Sequence, residues 1–295
     1  MATIFVILGP TSSGKTSTAL DLCKRSNGEI ISTDSRQIYK GMDIGTGKTP
    51  INTKIKVEKG KNHWVLDGIK VWGYDLINPD EYFSAYDFAK WALPKAQELL
   101  EQGKAVYLVG GTGFFIDMFT GRAKPSRVKP DFNLRNKLEK LSLSELQKKL
   151  MSLNPEAYEK IDKNNHVRLI RAIEIETGKN HSPTPLPYLQ NVKFEYTGLD
   201  VSREVLYERA DVWLDSIWQN GLLPETQNLI SAGFGETRPL NGIVYKSTKA
   251  FLVGQLSEDE AKQQAKFDLH AYIRRQQTYF KKNKDIKWLN NVESN

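Results

Sequence analysis

An apolar, β-rich run at residues 3–8 gives way to a glycine-containing turn, and residues 17–25 follow with Ala19, Leu20 and Cys23 at helical spacing. A second apolar run, residues 29–33, ends at Asp34. The opening therefore predicts a βαβ unit with polar groups at the strand ends, where open α/β sheets bind ligands. Residues 86–102 have helical character and stop at Gly103, and residues 105–109 predict a buried strand running into Gly110, Gly111, Thr112 and Gly113. After Gly121 the period changes, because residues 132–141, 144–150 and 166–176 all predict helices with no strand among them. The Pro-rich stretch 182–187 cannot continue a helix, residues 192–199 predict a strand returning to the sheet, and the rest of the chain is mainly helical. Segment 47–68, rich in Lys, Asn and Gly, predicts irregular or hairpin-like structure without an evident role.

These elements predict an α/β fold, a parallel sheet flanked by helices, built from residues 1–122 and 188–295, with an all-helical insertion domain over 123–187. Of the 295 residues, 39% are hydrophobic and 26% charged, ordinary for a globular enzyme. Apolar runs are too short to span a membrane, and Met1 leads directly into a strand without a signal or transit pattern, so a cytoplasmic address is expected. Cys23 is the single cysteine, a candidate buried thiol that can form neither an internal disulfide nor a cysteine zinc site. The net charge of +7 is compatible with a polyanionic partner but does not establish one. His63, His166, His181 and His270 are scattered, without metal-ligand spacing.

The chemistry concentrates at GPTSSGKT, residues 9–16, which fits G-x-x-x-x-G-K-[ST] and lies between a predicted strand and a predicted helix, as that phosphate loop requires. In such a loop Gly9, Pro10, Thr11, Ser12, Ser13 and Gly14 curl the backbone so that N–H groups face phosphate oxygens; Lys15 supplies charge and Thr16 can ligate Mg²⁺. The fold class narrows to a P-loop NTPase-like sheet. A triphosphatase would also need a Walker-B carboxylate. The strand at 105–109 ends instead in Gly-Gly-Thr-Gly, although Asp75 could act near a metal from another strand. Asp34 is a candidate general base; the alternative is a helix-cap or turn aspartate, and small-molecule kinases place a substrate-binding acid at such a strand end.

Along nearly its whole length the chain resembles the tRNA dimethylallyltransferase (isopentenyltransferase) family. The motifs that carry the resemblance are GPTSSGKT at 9–16, DSRQIYKGMDIGTGK at 34–48, PDEYFSAYDF at 79–88, GGTGFFI at 110–116, NNHVRLIRAIEIETGK at 164–179 and IRRQQTYFKK at 273–282. The resemblance implies an enzyme that moves a dimethylallyl group from dimethylallyl diphosphate to N6 of adenine 37 in the anticodon loop of tRNAs reading codons that start with U. Asp34 would act as base, with Lys15 and Thr112 catalytic; the diphosphate would leave into the phosphate loop, with Mg²⁺ on Thr16 as cofactor. The anticodon stem-loop would meet Asp34, Ser35, Arg36, Gln37 and Thr112. It would also meet Arg135, the helix residues Val167, Arg168, Leu169, Ile170 and Arg171, and Arg274 with Arg275.

Elementary physics sharpens parts of this. A stacked adenine cannot reach a deep site, so the target nucleotide must flip out at a cost of about a few kcal/mol. Arg168 and Arg171, spaced i, i+3, share a helix face and can grip phosphates; intramolecular salt bridges with Glu174 or Asp162 are the alternative. Arg274, Arg275, Lys281, Lys282 and Lys284 interleave with Tyr272, Tyr279 and Phe280, of which Tyr272 and Phe280 are expected to pack inward. Residues 57–78 align with the family only in part, Phe114-Phe115 replaces an aliphatic-aromatic pair, and Val244-Tyr245-Lys246 stands where Gly-Tyr-basic is frequent. The Cys/His-containing C-terminal extension of eukaryotic relatives is missing, which implies a bacterial-type, zinc-free enzyme, expected to be a monomer. A P-loop small-molecule kinase, an adenylate isopentenyltransferase and a catalytically silent RNA-binding protein remain as rivals.

Overall fold

The computed structural model describes residues 1–50, 54–126, 128–178 and 185–290. In chain order these form β1 (Ala2–Leu8), α1 (Lys15–Ser26), β2 (Gly28–Ser32), β3 (Val57–Gly60), β4 (His63–Leu66), β5 (Ile69–Trp72), α2 (Ala85–Glu101), β6 (Ala105–Gly110) and α3 (Gly113–Phe119). There follow α4 (Phe132–Leu138), α5 (Leu143–Leu153), α6 (Pro155–Lys160) and α7 (His166–Thr177), then β7 (Val192–Asp200), α8 (Arg203–Ile217), α9 (Leu223–Leu229), α10 (Ile243–Leu252), α11 (Glu258–Phe280) and β8 (Lys287–Asn290). The chain divides into two units, Met1–Ala123 with Pro187–Asn295, and Lys124–Leu186.

In the first unit all eight strands join one sheet in the order β3-β4-β5-β2-β6-β1-β7-β8. From β5 to β8 every pairing is parallel, and β2, β6 and the second half of β1 are buried because helices cover them. The expected parallel sheet is extended at one edge by antiparallel pairing of β3, β4 and β5. Only two residues separate each pair, too few for a parallel crossover. At the second turn, Asp67 and Gly68 adopt positive φ of 48° and 81°, the Asp-Gly hairpin arrangement. Segment 47–68, expected to be irregular or hairpin-like, thus supplies a hairpin within its described residues, and β5 extends it.

One face of the sheet buries Ile7, Ile30, Tyr107 and Val109 against Leu20 and Cys23 of α1 and Trp64 of the hairpin. Burial pushes the Cys23 thiol up to about 12, so it is an inert packing group. A second cluster joins α8, α10 and α11 through Leu214, Val244, Tyr245, Ala261, Ala265 and Leu269. Capping boxes at Ser84 with Asp87 and at Ser257 with Glu260 start α2 and α11.

Among its described residues the second unit's regular elements are all helices, packed around Leu138, Leu146, Leu150, Leu169, Ile170 and Ile173. Helix α6 was not foreseen, although Asn154 caps it and Pro155 opens it. Leu169 and Ile170, expected at a tRNA surface, are 0% and 5% exposed, because they lie on the inward face of α7. Part of the Pro-rich stretch 182–187 and His181 lie outside the described residues.

Candidate active site

Residues 9–14 bridge the buried end of β1 to the start of α1, and their backbone is one that few side chains tolerate. Gly14 (φ 87°) and Ser12 (φ 64°) are left-handed. At Gly9 (φ 155°) an added Cβ would lie 2.9 Å from Ser13 Oγ, so the curl requires glycine there. Lys15 folds back over the loop, its Nζ donating to the Pro10 carbonyl at 2.5 Å and reaching Ser13 Oγ at 3.5 Å. Burial lowers Lys15 to about 8, against the opposing pull of Asp34. The Thr11 N–H is already spent, donating to Gln276 Oε1 at 2.8 Å. Thr16 lines the cavity beside Lys15 with a hydroxyl that makes no hydrogen bond among the described residues.

Asp34 stands just beyond β2 and faces the same cavity. Its Oδ1 accepts from the Arg36 N–H at 2.8 Å, so the turn aspartate weighed from sequence is formed by the candidate base itself. Burial pushes its carboxyl above the usual range, while the Arg36 and Gln37 amides, Lys15 and the Arg36 guanidinium hold it down. Gln37 is clamped: Ser32 Oγ donates to its Oε1 at 2.8 Å, and its Nε2 donates to the carbonyls of Thr46 (3.2 Å) and Gly47 (3.0 Å). Arg36 donates from Nη1 to the Pro239 carbonyl at 3.2 Å. The Thr112 hydroxyl accepts from the Ser35 N–H at 3.0 Å and donates to Ser35 Oγ at 3.2 Å, tying the loop after β6 to the loop after β2.

Lys15, Thr16, Asp34, Arg36 and Gln37 line a cavity of about 830 Å³ within the first unit, whereas Ser35 and Thr112 are not among its lining residues. One end is the phosphate loop, and α8, α10 and α11 contribute Val205, Val212, Trp213, Tyr245, Leu269 and Tyr272 to its walls. Tyr272 was expected to pack inward; instead it lines this cavity, where burial and Asp34 push its phenol up. Phe280 does pack inward, at 3% exposure. Asp75 takes no part in the cavity, because its Oδ1 meets Lys48 Nζ at 2.5 Å and its Oδ2 accepts from Trp64 Nε1 at 2.6 Å.

Sequence reasoning missed three residues. Gln276, 5% exposed, accepts from Thr11 N–H and donates to the Gly111 carbonyl at 3.0 Å, joining the phosphate loop to the Gly-Gly-Thr loop. Glu225 takes the N–H groups of Asp43, Ile44 and Gly45 and the Tyr245 hydroxyl. Arg209 is an exposed cation on the cavity wall with no partner among the described residues. Their partners lie far away in sequence, so no local pattern announces the first two, whereas the basic position on α8 could have been weighed.

Among the described residues no group of three His, Cys, Asp or Glu could hold a metal. Thr16 beside an anion loop nevertheless fits Mg²⁺, which commonly takes one or two protein oxygens and the rest from phosphate and water. Of the residues expected to grip tRNA, Val167 is 58% exposed and Arg168 is exposed with no side-chain partner among the described residues. Arg135 and Arg171 both bind Glu174, which is 1% exposed: Arg135 Nε and Nη2 donate at 2.9 and 2.8 Å, Arg171 donates through Nη1, and its Nη2 meets the Val128 carbonyl at 2.6 Å. The intramolecular alternative weighed for the helix pair is therefore formed, among the described residues, at Arg171 and not at Arg168, and Arg135 joins the same carboxylate. On α11, Arg274 donates to the Tyr207 hydroxyl at 2.9 Å, and exposed Arg275 lies 5.8 Å from the Tyr272 ring centre.

Known proteins share this arrangement of chain. The tRNA dimethylallyltransferase of Acetivibrio thermocellus is 37% identical, over 99% of this chain and 93% of its own length. That of Halalkalibacterium halodurans is 33% identical, over 97% and 90%. A crystal structure of the tRNA isopentenylpyrophosphate transferase of Bacillus halodurans matches with a TM-score of 0.70 at 32% identity, covering 100% of this chain and 92% of that one. A eukaryotic dimethylallyltransferase acting on tRNA shares the fold, with a TM-score of 0.74 at 22% identity over 98% and 74%. The profile described as IPP transferase matches residues 37–283. With a match over most of its length and relatives above 30% identity across nearly all of it, the chain belongs to the IPP transferase family.

Proposed function

We propose that the chain is a tRNA dimethylallyltransferase that moves the dimethylallyl group of dimethylallyl diphosphate to N6 of adenine 37 in tRNAs reading codons that start with U. The observation that carries the reading is that Lys15 and Asp34 line one cavity and act on each other's charge. The N6–carbon bond forms as the carbon–oxygen bond to diphosphate breaks, and the bonding pair leaves with the diphosphate. Asp34 accepts the N6 proton; burial makes it a better base than a solvated aspartate. The departing negative charge falls to Lys15 and the backbone amides at the start of α1. Mg²⁺, when held by Thr16 and the diphosphate, supplies further charge neutralisation to the leaving group. Gln37 and Thr112 hold the loops on either side of Asp34 in register.

The partners in this reading are the flipped nucleotide at the cavity and the anticodon stem-loop, whose phosphates meet Arg168, Arg274 and Arg275. The reading places the enzyme in the cytoplasm, as a monomer without zinc. No helix among the described residues is long and apolar enough to cross a membrane.

The test is incubation with labelled dimethylallyl diphosphate, Mg²⁺ and unmodified tRNA, followed by nucleoside analysis. Label in isopentenyladenosine is the expected result, and Asp34→Ala is expected to lose nearly all transfer while retaining most tRNA affinity. Label on AMP or ADP in preference to an anticodon stem-loop, or ATP turnover without tRNA, would overturn the reading.

A further inference from the structure

The antiparallel edge of the sheet has no part in the reaction as described, yet it closes on a fully enclosed charge. Lys48 is 0% exposed, and its ammonium donates to Asp43 Oδ1 at 2.7 Å, Asp75 Oδ1 at 2.5 Å and the Tyr39 carbonyl at 2.8 Å. All three of its protons are therefore committed. The second oxygens of both carboxylates are taken by the hairpin: Lys59 of β3 donates to Asp43 Oδ2 at 2.7 Å, and Trp64 of β4 donates to Asp75 Oδ2 at 2.6 Å. The Trp64 ring lies 5.3 Å from the Lys48 ammonium, and the Tyr74 hydroxyl donates to the Lys48 carbonyl at 3.0 Å. Two ammonium groups and two carboxylates thus form a neutral knot between the hairpin and segment 39–48.

That segment reaches the cavity. Thr46 and Gly47, immediately before Lys48, line it and accept both hydrogen bonds from the Gln37 amide. The Asp75 N–H donates to the Gln37 carbonyl at 3.4 Å. Gln37 follows directly on Arg36, whose backbone N–H donates to Asp34 Oδ1 at 2.8 Å. From the buried ammonium to the candidate base the path runs through Asp75 to the Gln37 carbonyl, along one peptide to Arg36 and by its N–H to Asp34, while both donors of the Gln37 side-chain amide are committed to Thr46 and Gly47.

Stability alone does not call for such a knot. Replacing a buried ion cluster with apolar groups of similar volume is often neutral or stabilising, whereas hydrogen-bonded charges fix one geometry. We propose that Lys48, with Asp43 and Asp75, is a positioning device for the transfer reaction, and that the edge hairpin supplies its far side. The device holds segment 39–48 so that Gln37 fixes the orientation of Asp34. It rests on the reading of Asp34 as the base.

The experiment measures single-turnover prenyl transfer by the full chain, scaled to active sites titrated by binding of the labelled prenyl donor, for Lys48→Met, Gln37→Met and the double variant. Misplacing a catalytic group by about 1 Å costs on the order of a hundredfold in rate, so each single variant is expected to lose about that per site, with KM for the prenyl donor within about threefold of wild type. The double variant is expected to lose no more than the worse single, because both cut one chain. Should Lys48→Met fail to fold, Lys48→Met with Asp43→Asn and Asp75→Asn, which leaves no orphaned carboxylate, takes its place. A rate per titrated site equal to wild type, with only fewer sites, would mean that the knot merely supports folding and would overturn the proposal; so would additive losses in the double variant. Asp34→Ala, measured alongside, separates the two claims: wild-type activity there rejects the base, whereas an inactive Asp34→Ala beside a fully active Lys48→Met rejects the positioning role alone.

Discussion

Glu174→Gln isolates what the structure says about the arginines of the helical unit. The Glu174 carboxylate is 1% exposed and accepts from Arg135 Nε and Nη2, Arg171 Nη1 and the Asp131 N–H. Burial alone would raise its pKa, but the Arg135 bonds, the Asp131 amide and Arg171 outweigh it and hold the carboxyl below its ordinary 4.5. A depressed carboxylate contributes stability that is fully present above its unfolded pKa and is lost as the pH falls through the folded one, so the contribution is intact at neutral pH. Removing the charge leaves two guanidinium groups facing an amide and should cost about 3–5 kcal/mol, the usual loss when one partner of a buried pair is removed. At about 1.4 kcal/mol per factor of ten, amide exchange in α7 should accelerate by roughly a hundredfold to a few thousandfold. Native-state hydrogen exchange of the full chain, read on the amides of α4 and α7, measures this directly. A change below about threefold would refute the account. Arg171→Ala and Arg135→Ala should follow Glu174→Gln in stability before tRNA binding is considered. Exposed Arg168 is the contrast: Arg168→Ala should leave exchange within about 0.5 kcal/mol of wild type, weaken tRNA binding, and reduce the salt slope by about 1.

Two further outcomes follow from the cavity. Lys15, lowered to about 8, must be protonated to receive diphosphate, so kcat/KM for the donor should fall as pH rises through about 8. A bound anion stabilises the ammonium, so the alkaline limb of kcat should lie at higher pH than that of kcat/KM; coincident limbs in a pH–rate series would sink the assignment. Gln276→Leu strips partners from the Thr11 N–H and the Gly111 carbonyl, at about 1–3 kcal/mol for each buried group left unpaired. Donor KM should rise about tenfold or more in initial-rate assays, and an unchanged KM would show that the phosphate loop holds its shape without this bridge.

Which of these features could be read in the sequence depends on how far each residue's partner lies along the chain. The phosphate loop and the first βαβ unit were legible because their signals are local: a glycine that must turn, a lysine and threonine at fixed spacing, an apolar strand on either side. Asp34 was legible for the same reason, since it sits at a strand end beside that loop. The edge hairpin was only half legible. Its Asp67-Gly68 turn was present in the sequence, but Lys- and Gly-rich strands such as β3, exposed along its whole length, give no apolar alternation to read.

Long-range partners were hidden for a stricter reason. Gln276 meets Thr11 across 265 residues and Glu225 meets Asp43 across 182, and a polar side chain's spacing says nothing about which distant backbone group it will satisfy. The same ambiguity governs the basic positions. An arginine on an amphipathic helix is equally apt for a phosphate and for a carboxylate, and what decides is whether a buried acid lies within reach. Glu174 is such an acid: unpaired it would cost several kcal/mol in the core of its unit, so it claims Arg135 and Arg171. Arg168, without a partner among the described residues, has its charge still to spend. Lys48 and Asp75 follow the same logic, for a carboxylate that could have served a metal is committed to an enclosed ammonium. The charges left unneutralised by their own chain are therefore the ones best placed to meet a polyanion, a distinction that composition alone does not draw.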